Sequence, residues 1–158
     1  MTNIHCKLQK PFLKWVGGKT QIINEILDKI PNKMENYYEL FLGGGSVLLA
    51  ILSLQKQNKI IINNKIYAYD INASLINVYI NIQKNKDELF KFITKYIDEY
   101  DALSGQIIIR NAETIEEAKT SKESYYYWIR KKFNSMDKTT IEYSALFLFL
   151  NKTCFRGL

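Results

Sequence analysis

Three short stretches hold residue types whose spacing can do chemistry. Gly17-Gly18-Lys19-Thr20 looks like the end of a phosphate-binding loop. Phe41-Leu42-Gly43-Gly44-Gly45-Ser46 is a triple-glycine turn with Glu39 just ahead of it. Asp70 closes the apolar run Ile66-Tyr67-Ala68-Tyr69. A loop of the Gly-x-x-x-x-Gly-Lys-Thr kind needs its first glycine to curl backbone amides around a phosphate. Leu13 stands at that place, which speaks against an ATP-type cradle. The second stretch is better placed, because a glycine turn between a strand and a helix lets a ligand approach the main chain closely. A carboxylate at the end of the next strand can accept both hydroxyls of a ribose. Glu39, the glycines and Asp70 therefore fit an adenosine-type cofactor and leave NAD and S-adenosylmethionine both open. The Gly-x-Gly-x-x-Gly form of dinucleotide sites is absent, since its last position is Leu48. The plainer alternatives are a tight turn without a ligand and, for Lys19, a solvated lysine at a helix start.

The elements needed to position these groups are legible. Residues 10–16 read as an extended lead-in. Ile22, Ile23, Ile26, Leu27 and Ile30 have helical spacing, which predicts a helix over 19–30 that Pro31 ends. Residues 36–42 read as a buried strand, Ser46 as the N-cap of a helix over 47–54, residues 59–62 and 66–69 as strands, and 75–84 as a helix. Strand, glycine turn, helix, strand and acid thus follow one another, as at the start of a doubly wound α/β sheet. Beyond about residue 85 the pattern becomes helical, over 87–100, 115–119, 124–133 and 140–150. Leu89, Phe92, Ile93, Tyr96, Ile97 and Tyr100 share one helical face, and 104–111 is a strand or loop. This divides the chain into an α/β portion, 1–84, and a helical region, 85–158.

With 158 residues and 47% hydrophobic composition the chain can bury a real core. A net charge of +6 fits a polyanionic partner. Two cysteines, Cys6 and Cys154, and one histidine, His5, supply neither a disulfide framework nor a Cys/His zinc site. No metal is therefore expected. The apolar run 141–150 is too short to span a bilayer and carries Glu142. An intracellular protein, in the cytoplasm or on the nucleoid and of cellular or phage origin, is the expectation.

Five blocks occur in order: "PFLKWVGGK" (11–19), "YYELFLGGGSV" (37–47), "YAYDINASLINVY" (67–79), "YYYWIRKKFN" (125–134) and "ALFLFLNKTCFRGL" (145–158). Together they resemble the Dam-type DNA adenine methyltransferases, over nearly the whole chain. The resemblance implies an incomplete Rossmann-like S-adenosylmethionine methyltransferase core followed by a helical target-recognition subdomain. It implies that Trp15, Gly17, Gly18 and Lys19 line the cofactor pocket. Glu39, Phe41, Gly43, Gly44, Gly45 and Ser46 would hold the methionine end, Asp70 the ribose and Ile71 the adenine. It places Lys14, Asn151, Lys152, Thr153, Phe155 and Arg156 at or beside positions that meet double-stranded DNA. Phe155 would stack or wedge where a base leaves the helix, and Arg156 would pair with guanine or phosphate. Phe155 as core and Arg156 as a surface charge are the ordinary alternatives. Tyr125, Tyr127, Trp128 and Phe133 read as core, and Arg130, Lys131 and Lys132 as a solvated face.

Methyl transfer to adenine's exocyclic amine needs acceptors that pull the nitrogen toward tetrahedral geometry, and the family provides them with Asp-Pro-Pro-Tyr or a near variant. The chain's two prolines are Pro11 and Pro31, so that motif is not among these residues. Leu40 stands where relatives often have proline, and Arg156 where many have asparagine. The chain reads as a front portion with no catalytic residue of its own, completed by a C-terminal half or a second chain. The alternative is a non-catalytic DNA- or cofactor-binding remnant or subunit.

Overall fold

The computed structural model describes residues 7–154. His5, Cys6, Phe155 and Arg156 lie outside the described residues. The chain forms two compact units, the first ending at Ile71 and the second beginning at Asn72.

In the first unit, β1 (Lys33–Met34) pairs in parallel with β3 (Ile61–Ile62), and β2 (Tyr37–Glu39) with β4 (Ile66–Ala68). The predicted strand over 36–42 is thus shorter than expected, although backbone bonds continue the ladder past it. Tyr69 N–H donates to Glu39 O, and Leu42 N–H to Tyr69 O, each at 2.8 Å. Period-two alternation sorts the side chains of β2. Tyr37 and Glu39 turn to the half-buried face, while Tyr38 turns to solvent and stacks on its register partner Tyr67, ring centroids 4.8 Å apart.

Helix α2 (Ser46–Lys56) forms the parallel crossover between β2 and β4. It buries Ile51 against Ile60 and Ile62, with Tyr37, Val47 and Leu54 packed around that cluster. The helix expected over 19–30 is broken. A 3-10 turn over Lys19–Ile22 precedes the short helix α1 (Ile23–Leu27), and neither has a side-chain cap. Isoleucine-rich sequence behind Gly17-Gly18 lacks the caps and propensity that sustain a longer helix. No strand forms in residues 10–16.

The second unit is helical: α3 (Ala73–Lys84), α4 (Lys86–Asp101), α5 (Ile115–Ala118), α6 (Lys122–Ser135) and α7 (Ile141–Thr153). Caps set the starts of four of these helices, since the side chains of Asn72, Thr114, Ser121 and Thr140 each accept an N–H from the first turn. Helix α7 is buried all round from Tyr143 to Asn151, so the apolar run is a core helix. Leu146, Phe149 and Leu150 pack with Tyr96, Tyr125 and Ile129, and Trp128 and Phe133 lie against the same cluster. Of the α4 face read from the sequence, Leu89 and Tyr96 are buried, whereas Ile97 is exposed. Residues 104–111 form a loop tied by one bridge, Gln106 to Ser121. Among the described residues no helix is long and apolar enough to cross a membrane.

Candidate functional site

The glycine turn follows β2 and opens α2, at the carboxyl ends of the parallel strands, where α/β folds place ligands. Two of its glycines are needed for backbone reasons. Gly43 has φ 51° and Gly45 φ 74°, a region that residues with a Cβ seldom enter. Gly44 is needed for space, since a Cβ there would come within 2.9 Å of Trp15 Cβ. Trp15 also lies over Gly43, so its indole is what joins the first glycine stretch to the second. Ser46 is the first helical residue and not the N-cap expected from the sequence, because Gly45 takes the cap position in the left-handed conformation and has no side chain to offer. The group that meets the first turn of α2 comes from the preceding strand, where Glu39's carboxylate accepts the backbone N–H of Leu48. Ser46 instead sets its hydroxyl 3.5 Å from that of Thr20.

Asp70 turns back toward this loop. Its Oδ2 accepts the Gly43 N–H at 2.9 Å, which fixes the carboxylate beside the glycine turn. Trp15, Gly17, Gly18, Lys19, Glu39, Phe41, Gly43, Gly44, Ser46 and Asp70 line one cleft of about 330 Å³, together with Val16, Leu42 and Val47. That size lies within the range of small-molecule sites. Gly45 is buried under the turn, and Val16, Phe41 and Ile71 stand almost wholly in solvent as large apolar side chains. Lys19 folds its amine onto Gly17 O at 2.9 Å, and a short 3-10 turn follows, so this stretch does not take the form of a phosphate cradle.

Electrostatics single out Glu39. Burial raises its carboxyl above the ordinary range, and hydrogen bonds from the Tyr37 hydroxyl, 3.1 Å from Oε2, and the Leu48 N–H pull it back only in part. Burial likewise raises the Tyr37 phenol, helped by the negative charge of Glu39. A second hollow of similar size, about 340 Å³, lies between residues 7–9 and the Leu49, Leu52, Ser53, Lys56 and Gln57 side of α2. Its lining has neither a glycine turn nor a carboxylate.

The residues expected at DNA are less uniform. Lys14 and Lys152 are exposed. Thr153 is half-buried and donates its hydroxyl to Phe149 O at 2.9 Å. Asn151 is 0% exposed, enclosed within the core around α7, and does not offer the surface expected of a DNA contact. Among the described residues no group of three His, Cys, Asp or Glu could hold a metal ion. Val16, Val47 and Tyr37 were not among the site residues read from the sequence. For Tyr37 the signal was its place two residues before Glu39 on one strand face.

A glycine turn facing a strand-end carboxylate at the carboxyl ends of parallel strands is an arrangement at which α/β folds place ligands. Residues 15–158 match the family described as D12 class N6 adenine-specific DNA methyltransferase, and the chain belongs to that family. It is 35% identical over 156 residues to the Type II methyltransferase M.MjaIII of Methanocaldococcus jannaschii, covering 94% of this chain and 47% of that protein. It is 32% identical over 152 residues to a DNA adenine methylase of Haemophilus influenzae, covering 94% of this chain and 42% of the relative. A DNA N-6-adenine-methyltransferase of Escherichia phage P1 is 26% identical over 152 residues, covering 96% of this chain and 16% of the phage protein. The chain thus spans about half the length, or less, of these curated relatives.

Proposed function

We propose that this chain forms the S-adenosylmethionine-binding and target-recognition portion of an enzyme that methylates the exocyclic amine of adenine in duplex DNA. The observation that carries the reading is the Gly43–Asp70 bond of 2.9 Å, which puts a strand-end carboxylate and the glycine turn at one cleft. In this reading S-adenosylmethionine supplies the methyl group. Asp70 accepts the ribose hydroxyls and Ile71 lies against the adenine. Glu39 and the 41–46 turn hold the methionine end, while Trp15, Gly17, Gly18 and Lys19 close the cleft from the other stretch. The strands of the first unit are then the beginning of a Rossmann-like sheet within residues 1–84, and residues 85–158 serve target recognition. Lys14, Lys152 and Thr153 are the described DNA-contact candidates, joined in sequence by Phe155 and Arg156.

Titration calorimetry with S-adenosylmethionine tests the cofactor site. Asp70→Ala should weaken binding by about 1–3 kcal/mol through loss of charge-assisted hydrogen bonds. An unchanged dissociation constant removes the ribose assignment. A methylation assay on duplex DNA tests the reaction, with transfer expected only where an Asp-Pro-Pro-Tyr-type loop is also present. The alternative reading is a non-catalytic DNA- or cofactor-binding module. Binding without transfer, even with such a loop present, would select the module.

A further inference from the structure

Tyr37 has a hydroxyl that its packing does not require. Its ring lies against the Ile51, Ile60 and Ile62 cluster, which a phenyl ring would fill equally. The hydroxyl reaches past that cluster to donate to Glu39 Oε2 at 3.1 Å, two residues along the same strand face. Glu39 also accepts from the Leu48 N–H on the first turn of α2. The carboxylate that lines the cleft is therefore held from two elements. A carboxylate so fixed is ready-made for a positive ligand group, because its orientation and partial desolvation are settled before the ligand arrives.

We propose that Tyr37 is a positioning residue for cofactor recognition, holding the Glu39 carboxyl oriented toward the cationic amino-acid end of the bound nucleoside. The inference rests on the S-adenosylmethionine reading of the same cleft and adds a residue which that reading does not use. The charged and titratable groups around Glu39 are few. Tyr37 shares its strand, and Asp70, from the end of β4, lines the same cleft. Lys19, from the N-terminal stretch, keeps its amine on Gly17 O. Burial already favours the protonated acid, and the Tyr37 bond opposes it. Removing that bond therefore lets Glu39 take up a proton at higher pH, where it no longer attracts a cation.

The experiment is titration calorimetry of the chain with S-adenosylmethionine and, separately, methylthioadenosine, over a pH series from acid to neutral. Wild type should bind S-adenosylmethionine less well as pH falls. Tyr37→Phe should weaken that binding about threefold to tenfold near neutrality and move the acid midpoint upward, leaving methylthioadenosine, which lacks the amino-acid end, unchanged. An identical midpoint and affinity overturn the proposal. So does an equal loss with both ligands, which would make Tyr37 merely structural. Glu39→Gln gives an independent reading should Tyr37→Phe fold poorly, since its affinity should lose the pH dependence. Persistence of the wild-type profile in Glu39→Gln overturns Glu39 as the acid-sensitive contact and Tyr37's role with it. No heat from either ligand with wild type overturns the nucleoside reading itself.

Discussion

Two half-buried glutamates, one in each unit, are pushed in opposite directions. At Glu39 burial dominates and the carboxyl is raised, the two hydrogen bonds it accepts offsetting only part of the cost. At Glu142 burial also pushes upward, but hydrogen bonds from Lys132 and Tyr96 and the charge of Lys132 outweigh it, and the carboxyl is lowered. Lys132 Nζ lies 2.7 Å from Glu142 Oε1 and 2.7 Å from the Tyr96 hydroxyl, and that hydroxyl donates to the same carboxylate oxygen. The helical unit has thus satisfied its acid internally, whereas the α/β unit keeps an acid whose ionised form costs stability. A charge left under-compensated at a cleft is what a ligand of opposite sign can exploit.

The contrast extends to apolar groups. The α/β unit leaves Val16, Phe41 and Ile71 in solvent, while the helical unit encloses α7 from Tyr143 to Asn151. Substitutions should therefore act on binding in the first unit and on folding in the second. The largest effect is expected at Leu146, which is fully buried in the helical core. Leu146→Ala should cost about 2–5 kcal/mol of stability in denaturant or thermal unfolding, by lost transfer free energy and the cavity left behind. Its S-adenosylmethionine affinity should stay near wild type at temperatures where the chain is folded. A large loss of affinity together with an unchanged unfolding midpoint would break the division.

The converse substitution is Gly44→Ala, whose new methyl would meet Trp15 Cβ at 2.9 Å. Trp15 must then shift off the turn and the cleft changes shape. An affinity loss of about tenfold is expected from misplaced contacts, with a melting temperature only slightly lowered. Equal affinity would mean that the indole's seat on the glycines does not shape the site.

How far the sequence spoke differs between the units for the same reason. Helix periods are long and self-consistent, so α3, α4, α6 and α7 were legible within a few residues, and α7 was recognised as apolar though its place as the buried helix was not. The Gly43–Asp70 pairing could be anticipated because strand, glycine turn and acid follow a rule of backbone geometry. What stayed hidden were relations that need coordinates. Gly45 displaced Ser46 from the cap only through its positive φ, and Trp15 met Gly44 across a gap in sequence that no local pattern encodes. The burial of Asn151 was hidden too, because a polar residue at a helix end reads as exposed until α7 is seen to be enclosed on every side.

The smallest expected effect tests the opposite titrations directly. In the folded chain Glu142 ionises below its ordinary value of 4.5, so the stability it adds is present above that value and fades as pH falls through the folded one. Glu39 carries the reverse sign: its contribution is present at acid pH and is lost as pH rises through its raised folded value. Glu142→Gln should therefore lower unfolding stability by about 1 kcal/mol near neutrality, where a half-buried charge-assisted bond is lost. The gap from wild type should close on acidification, since wild-type Glu142 is then neutral as well. Glu39→Gln should instead raise stability near neutrality, where the ionised wild-type acid is penalised by burial, and that gain should fade on acidification as wild-type Glu39 becomes neutral. Urea melts of both variants at several pH values distinguish the two signs, and parallel behaviour at the two positions would end the comparison between a structural acid and one held for a ligand.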